Sequence, residues 1–331
     1  MARLGIDIGG TKIAAGVVDD AGRIVQRARR STPTTNPADI DRTIADLYRE
    51  LSPAADIRQV GLAAAGFVSS DRSTVLTAPN LPWRRYPLGE QVAALLPSGI
   101  DVVVENDANA AAWGEHPHGA GEPAGVSLMI TVGTGIGGGI VSNGELQRGA
   151  FGAAAEVGHL TVVQDGRRCG CGKLGCWEAY GSGTALLDVA NRELEGARAD
   201  GRALRARRDA DGGVLTGQHI ADAASAGDPL ASRLFAETAE WIGRGLASLT
   251  AILDPEVIVV GGGVADSEDL LIPGVRTAYA SRVSGSEDRP AAQIVAASLG
   301  NDAGLIGAAA LARTSRTGGL AASAGAGAGA I

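Results

Sequence analysis

Leu4-Gly5-Ile6-Asp7-Ile8-Gly9-Gly10-Thr11-Lys12 and, further along, Ile130-Thr131-Val132-Gly133-Thr134-Gly135-Ile136-Gly137-Gly138-Gly139 follow one pattern: an apolar run of strand length stops at glycines and then resumes. Around the first stretch the pattern predicts strands over 4–8, 12–18 and 23–28, with an Asp20-Ala21-Gly22 turn before the third. Around the second it predicts strands over 126–132 and 139–142, with Asn143-Gly144 as a two-residue hairpin turn. A strand, glycine-turn, strand unit therefore occurs twice.

Between and after these units the period changes. Residues 37–51 have helical spacing through Ile40, Ile44 and Leu47, and 59–64 form an apolar strand leading to Gly66. Residues 101–105 repeat that strand and run into Asn106-Asp107, either of which can cap a helix over 108–115. A long stripe through Leu234, Ile242, Leu246 and Leu249 predicts a helix over 230–253 stopped by Pro255. Then 257–260 runs into Gly261-Gly262-Gly263, and 293–297 leads through Gly300-Asn301-Asp302 to a helix over 303–312. Strands alternating with helices predict an α/β protein. Residues 195–213, rich in Arg and Asp without a period, are expected as an exposed loop or frayed helix end. His116 and His118 flank Pro117 in an expected surface turn, and 318–331, mostly Gly and Ala, is an expected disordered tail.

Composition narrows the function. The 331 residues carry a formal charge of −8, from 29 Lys+Arg against 37 Asp+Glu, so no basic field favours nucleic acid or an anionic membrane surface. Neither a run of about 20 apolar residues nor a secretory h-region is evident, and the expected location is the cytoplasm. Cys169, Cys171 and Cys176, the only three cysteines, cannot pair into an even disulfide framework.

The motifs then point to phosphoryl transfer. Glycines after a strand let backbone N–H groups approach an anion, and Asp7-Ile8-Gly9-Gly10-Thr11-Lys12 adds a hydroxyl, an ammonium and a carboxylate suited to hydrated Mg²⁺. The second turn, through Gly133, Thr134, Gly135 and Gly137, has the same character, which suggests a nucleotide clamped between two domains without a Walker loop. Asp107, at the carboxyl end of a strand, stands where α/β folds place chemistry and fits the base that accepts a hydroxyl proton, although capping a helix is the plainer role. His159 with Cys169, Cys171 and Cys176 forms a closed Cys₃His set for structural Zn²⁺. Such a ribbon would fix Glu156 and Glu178 as acceptors for adjacent sugar hydroxyls.

Together, Asp7 to Lys12, Glu105-Asn106-Asp107-Ala108-Asn109, the second glycine turn and Glu156-Val157-Gly158-His159 with its cysteine ribbon resemble the ROK family of bacterial sugar kinases and repressors, over about residues 4–312. The resemblance implies an actin-like, RNase-H-like ATPase fold with two α/β lobes around a central cleft. The lobes would span 1–108, joined by a helix near 300–314, and 109–299, with the zinc ribbon at 156–178. It implies ATP-dependent phosphorylation of a hexose 6-hydroxyl, glucose foremost, with Asp107 as base and Mg²⁺ accompanying ATP. Gly66, Asn80, Asn106, Glu156, His159 and Glu178 would contact the sugar, and His159 would also be a zinc ligand. Gly9, Gly10, Thr11, Lys12, Gly133, Thr134, Gly135 and Gly137 would cradle phosphates, with Gly262 and Gly263 facing adenosine. A homodimer, or a tetramer, is the implied assembly.

Two alternatives stay open: a kinase for fructose or an N-acetylated amino-sugar, and a sugar-sensing repressor. The repressor is disfavoured because Asp7 leaves no room for a preceding helix-turn-helix. One residue departs from the family pattern. Ala155 precedes Glu156 where glycine is usual, and a positive φ there would cost about 1 kcal/mol or more.

Overall fold

The computed structural model describes residues 2–121, 124–196 and 201–313. The expected tail at 318–331 lies outside them. Along the chain, the first half contains β1 (Arg3–Ile8), β2 (Lys12–Val18), β3 (Ile24–Ser31), α1 (Pro37–Leu51), β4 (Gln59–Ala64), β5 (Phe67–Val68), β6 (Val75–Thr77), β7 (Arg84–Tyr86), α2 (Leu88–Leu95), β8 (Asp101–Asn106) and α3 (Asp107–His118). The second contains β9 (Val126–Val132), β10 (Ile136–Ser142), β11 (Glu145–Leu146), α4 (Glu178–Gly181), α5 (Gly183–Glu195), α6 (Arg202–Ala210), α7 (Gly217–Ser225), α8 (Pro229–Leu253), β12 (Val257–Gly261), α9 (Glu268–Ala280), β13 (Gln293–Ala296) and α10 (Ala303–Ala312).

The repeated unit of the sequence becomes a repeated sheet. One sheet has the order β3-β2-β1-β4-β8 and the other β11-β10-β9-β12-β13. In each, an antiparallel meander supplies three strands and two more join in parallel. A small sheet, β5-β6-β7, sits between β4 and β8 in sequence. Each five-stranded sheet has its own core. Leu4, Ile6, Ile8 and Leu62 meet Ile40, Ile44 and Leu47 of α1 in the first; Leu128, Ile130 and Ile258 meet Leu246 and Trp177 in the second.

Local chemistry explains the main helices. Asn36 caps α1 by accepting from the Ala38 N–H, and Pro37 occupies the first turn, where its missing N–H is harmless. Asp228 caps α8 through the Ala231 N–H, and Asp254 ends it in the left-handed region at φ 44°. Helices α3 and α10 join the halves. They are dominated by small residues, so their backbones can approach closely: a Cβ at Gly307 would lie 1.7 Å from the Ala110 carbonyl oxygen, and one at Gly61 of β4 would lie 1.9 Å from that of Ala308.

Three expectations are corrected. Residues 136–138 are not turn but strand, paired with β9 from Ile136 opposite Val132, because α3 lies against this stretch and a Cβ at Gly137 would fall 2.8 Å from that of Ala108. Residues 202–210 form α6, because Leu204 is fully buried and the distant Asp228 carboxylate accepts from the Ala203 and Leu204 N–H groups at 3.0 and 3.1 Å. His116 and His118 belong to the last turn of α3, where His116 Nδ1 lies 3.3 Å from Ser127 Oγ. The expected hairpin is as read, with Asn143 and Gly144 at φ 51° and 72°.

Candidate active site

Three parallel strands deliver the first set of polar residues to one edge. Ile8 of β1 lies opposite Ala64 of β4, and Ala64 opposite Asn106 of β8, so Asp7, the Gly66 turn and Asp107 leave the sheet side by side. The Gly9 to Lys12 turn is tight. Gly9 N–H donates to the Lys12 carbonyl at 3.0 Å, while the Thr32 hydroxyl donates to the Gly9 carbonyl at 2.7 Å. Gly10 faces Asn80, whose Cβ would be 3.3 Å from a Cβ built on the glycine.

Asn106 takes the capping role. Its Oδ1 accepts from the Asn109 N–H at 2.9 Å and its Nδ2 donates to the Gly66 carbonyl at 3.1 Å, which fixes the Gly66 turn against α3. Asp107 is thereby released from that duty. One of its oxygens accepts from the Ala108 N–H at 2.9 Å.

The electrostatics show which acids share this space. Burial and the charge of Asp107 push the Asp7 carboxyl up to about 7, with Lys12 pulling it back. Burial also raises Asp107, against the Ala108 N–H. Glu156 is pushed up to about 7 by burial, then by Asp107 and Glu178. Asp107 thus acts on both Asp7 and Glu156, and Glu178 on Glu156, so the four acids lie near one another.

The second sheet supplies glycines instead. After β9, the Gly133 N–H donates to the Gly135 carbonyl at 3.0 Å, and the start of α5 grips this turn through the Gly183 N–H to Gly133 carbonyl and Thr184 hydroxyl to Thr134 carbonyl bonds, both 2.7 Å. A Cβ at Gly135 would stand 2.6 Å from a Glu178 carboxylate oxygen, so this turn borders the acidic space. Gly137 lies one residue inside β10, facing Ala108 and the Thr131 hydroxyl, rather than in the turn. After β12, Gly262 adopts φ 89°, and a Cβ there would fall 2.7 Å from the Val132 backbone nitrogen. Only a glycine lets Gly262-Gly263 fold back over the end of β9.

The cysteine ribbon forms a compact donor set. One donor atom each from His159, Cys169, Cys171 and Cys176 lies within 4.8 Å of all the others. Cys171 and Cys176 sulfurs are 3.7 Å apart, and Cys169 sulfur is 3.8 Å from His159 Nδ1. Tetrahedral Zn²⁺ with its usual bond lengths would place two sulfurs roughly 3.7 Å apart. The set therefore fits a metal, with Nδ1 as the imidazole donor and Nε2 left for another partner. Trp177, between Cys176 and Glu178, is fully buried and donates through Nε1 to the Trp241 carbonyl at 2.8 Å, which anchors the ribbon to α8.

Some of the supporting side chains escaped the sequence reading. Glu105, 3% exposed, accepts from Arg148 Nε at 2.6 Å on one oxygen and from the Asn106 N–H and Asn109 Nδ2, each at 3.2 Å, on the other. Arg72 Nε is 3.5 Å from the same carboxylate. The signal was present in Glu105-Asn106-Asp107-Ala108-Asn109, which has more polar atoms than a cap uses, but the arginine partners are remote in sequence. Ala155 does adopt a left-handed φ of 65°.

Two sheets of one topology, joined by packed helices, with acidic strand ends on one and glycine turns on the other, define the actin-like ATPase fold. The chain belongs to the ROK family, whose model matches residues 3–315. It is 47% identical to the glucokinase of Streptomyces coelicolor over 94% of this chain and 97% of that one. It is 35% identical to the N-acetylmannosamine kinase of Shigella boydii over 95% and 99%. Among solved structures, a ROK family glucokinase from Streptomyces griseus in complex with glucose and AMPPNP matches at TM-score 0.86 and 46% identity, covering 95% of this chain and 99% of that one.

Proposed function

We propose that the protein transfers the γ-phosphoryl group of ATP to the 6-hydroxyl of glucose, giving glucose 6-phosphate and ADP. The observation that carries this reading is Asp107: half-buried at the head of α3, freed from capping by Asn106, and near enough to Asp7 and Glu156 for its charge to raise both. Greater identity to a glucokinase than to an N-acetylmannosamine kinase supports glucose over the amino-sugar.

In this reading Asp107 accepts the proton as the sugar oxygen bonds to phosphorus and the bond to the ADP oxygen breaks. Asn106, Glu156, Glu178 and His159 Nε2 hold the other hydroxyls, bounded by Gly66 and Asn80. Gly9 to Lys12 and Gly133 to Gly135 present backbone N–H groups to the phosphates, and Gly262-Gly263 lines the adenosine side. Asp7, a half-buried carboxylate under the influence of Asp107 and Lys12, fits a hard divalent cation and would hold the Mg²⁺ accompanying ATP. Zn²⁺ in the Cys₃His set would supply rigidity, with no open position for reaction. The lobes divide as 1–108 with α10, and 109–299. Thiols kept for a metal and ATP as donor both suit a cytoplasmic enzyme, and a homodimer is the assembly we expect.

Among the described residues no helix is long and apolar enough to cross a membrane. The test is sugar-dependent ADP release from Mg·ATP across glucose, mannose, fructose, glucosamine, N-acetylglucosamine and N-acetylmannosamine. Highest kcat/KM on glucose is expected; higher kcat/KM on an N-acetylated sugar would overturn the substrate assignment.

A further inference from the structure

Glu156 reaches the acidic space from a loop whose base is closed against β10 and whose tip lies against the chain of the first half. At the base, the Ala154 N–H donates to the Arg148 carbonyl at 3.1 Å, closing residues 148–154 into a ring, and the Gln147 N–H donates to the Ile140 carbonyl of β10 at 2.8 Å. At the tip, Gly152 at φ 82° lies so close to the chain after β5 that a Cβ would fall 2.4 Å from the Val68 carbonyl oxygen. Ala155 and Glu156 follow directly.

The Arg148 side chain adds the connection that matters. Its Nε donates at 2.6 Å to Glu105, the residue two before Asp107, and the other Glu105 oxygen accepts from the Asn106 N–H and from Asn109. One buried carboxylate therefore ties the strand end bearing Asp107 to the base of the loop bearing Glu156. We infer that Arg148, fixed by Glu105, is a positioning residue for the sugar: it sets the pose of the 148–155 loop and so where Glu156 meets the hydroxyls opposite Asp107. This rests on the kinase reading above. Arg148 does not touch the reacting atoms in this account; it acts through the loop.

The pair can be broken without leaving a naked buried charge, because Arg72 remains 3.5 Å from the Glu105 carboxylate and donates through Nη2 to the Leu311 carbonyl at the end of α10. The experiment compares the full-length wild type with Arg148→Met, Arg148→Lys and Glu105→Gln. Readouts are kcat, KM for glucose and for ATP, calorimetric glucose binding, zinc content and Tm. For Arg148→Met we expect KM and Kd for glucose to rise about tenfold, on the scale of losing a buried charged hydrogen bond, with KM for ATP and zinc content unchanged. Arg148→Lys should recover part of the affinity, since it keeps the charge without the fork.

A lower Tm with glucose KM within twofold of wild type would make the pair merely structural and overturn the inference. Should Arg148→Met fail to fold, Arg148→Lys and Glu105→Gln decide in the same way: unchanged glucose KM in both overturns it. If the wild type turns over no sugar, the kinase reading fails, and calorimetry of wild type and variants across the sugar panel still decides the positioning role. Binding of no sugar by the wild type overturns both.

Discussion

The two five-stranded sheets have one topology and opposite equipment. At the ends of β1, β4 and β8 stand Asp7, the Gly66 turn and Asn106-Asp107; at the ends of β9 and β12, the counterparts of β1 and β4, stand Gly133 to Gly135 and Gly261 to Gly263. After β8 the chain enters α3 through an asparagine cap with an acid behind it, whereas after β13 it enters α10 through Asp302, whose side chain caps nothing and pairs instead with Arg27 near the surface. The fold thus specifies where a site can be, twice, and the residues specify what each copy does. In the proposed reading, one copy carries the acid chemistry and the other offers bare backbone to a nucleotide.

The largest expected effect sets the two helix entrances against each other. Asp107→Asn should lower kcat by two to four decades while glucose binding and Tm stay near wild type, the scale of losing a general base. Asp302→Asn, the equivalent acid of the other copy, should change kcat by less than about twofold, as for other half-exposed ion pairs. Equal losses in steady-state kinetics of the two variants would mean that the copies are not divided in this way.

Next comes the insertion that only the second copy possesses. Cys171→Ser should lower zinc from one per chain and reduce Tm by about 5 °C or more, because metal binding contributes to folding of the ribbon. It should also raise glucose KM, since His159 and Glu178 depend on the same loop, and leave ATP KM nearly unchanged. Full zinc occupancy by elemental analysis would remove Cys171 from the set.

The acidic space also predicts opposed pH profiles for activity and stability. Asp107 must be ionised to accept a proton and its pKa is raised, so kcat/KM for glucose should fall on the acid side above the ordinary carboxylate range, about tenfold per pH unit. For stability the sign reverses. Asp7 and Glu156 shift from 3.8 and 4.5 to about 7, so between those values the folded chain binds protons that the unfolded chain does not. Their contribution to stability therefore rises as pH falls from above 7 toward 4.5 and is lost as pH rises through 7. Denaturant titrations of wild type against Asp7→Asn would show it: the variant should lose that part of the slope.

What could be read from the chain follows from how local each signal is. The glycine turns, the hairpin at Asn143-Gly144 and the helix after Asn106 are decided by residues within one turn of each other, and they were legible. The helix over 202–210 was not, because Asp228 caps it from outside the segment. The strand character of Gly137 and Gly138 was hidden because glycines that admit a close neighbour resemble glycines that make a turn. Glu105 was visible as a surplus acid, but Arg148 and Arg72 lie 43 and 33 residues away from it, and no spacing rule links them.

The smallest effect concerns Ala155, which joins the positioned loop to Glu156 with φ at 65°. A left-handed alanine costs about 1–2 kcal/mol. Glycine would relieve that strain, but its freer unfolded chain offsets about 0.4–1 kcal/mol. Relief exceeds the offset, so Ala155→Gly should stabilise by roughly 0.5–1 kcal/mol, a Tm rise on the order of 1–2 °C for a chain of this size. The same change loosens the hinge before Glu156, so glucose KM should rise, by less than in Arg148→Met because the ion pair still holds the loop base. A Tm that falls would show that the backbone at 155 is not left-handed in solution. An unchanged Tm with raised KM would show that the strain is relieved elsewhere while the hinge still sets the pose of Glu156.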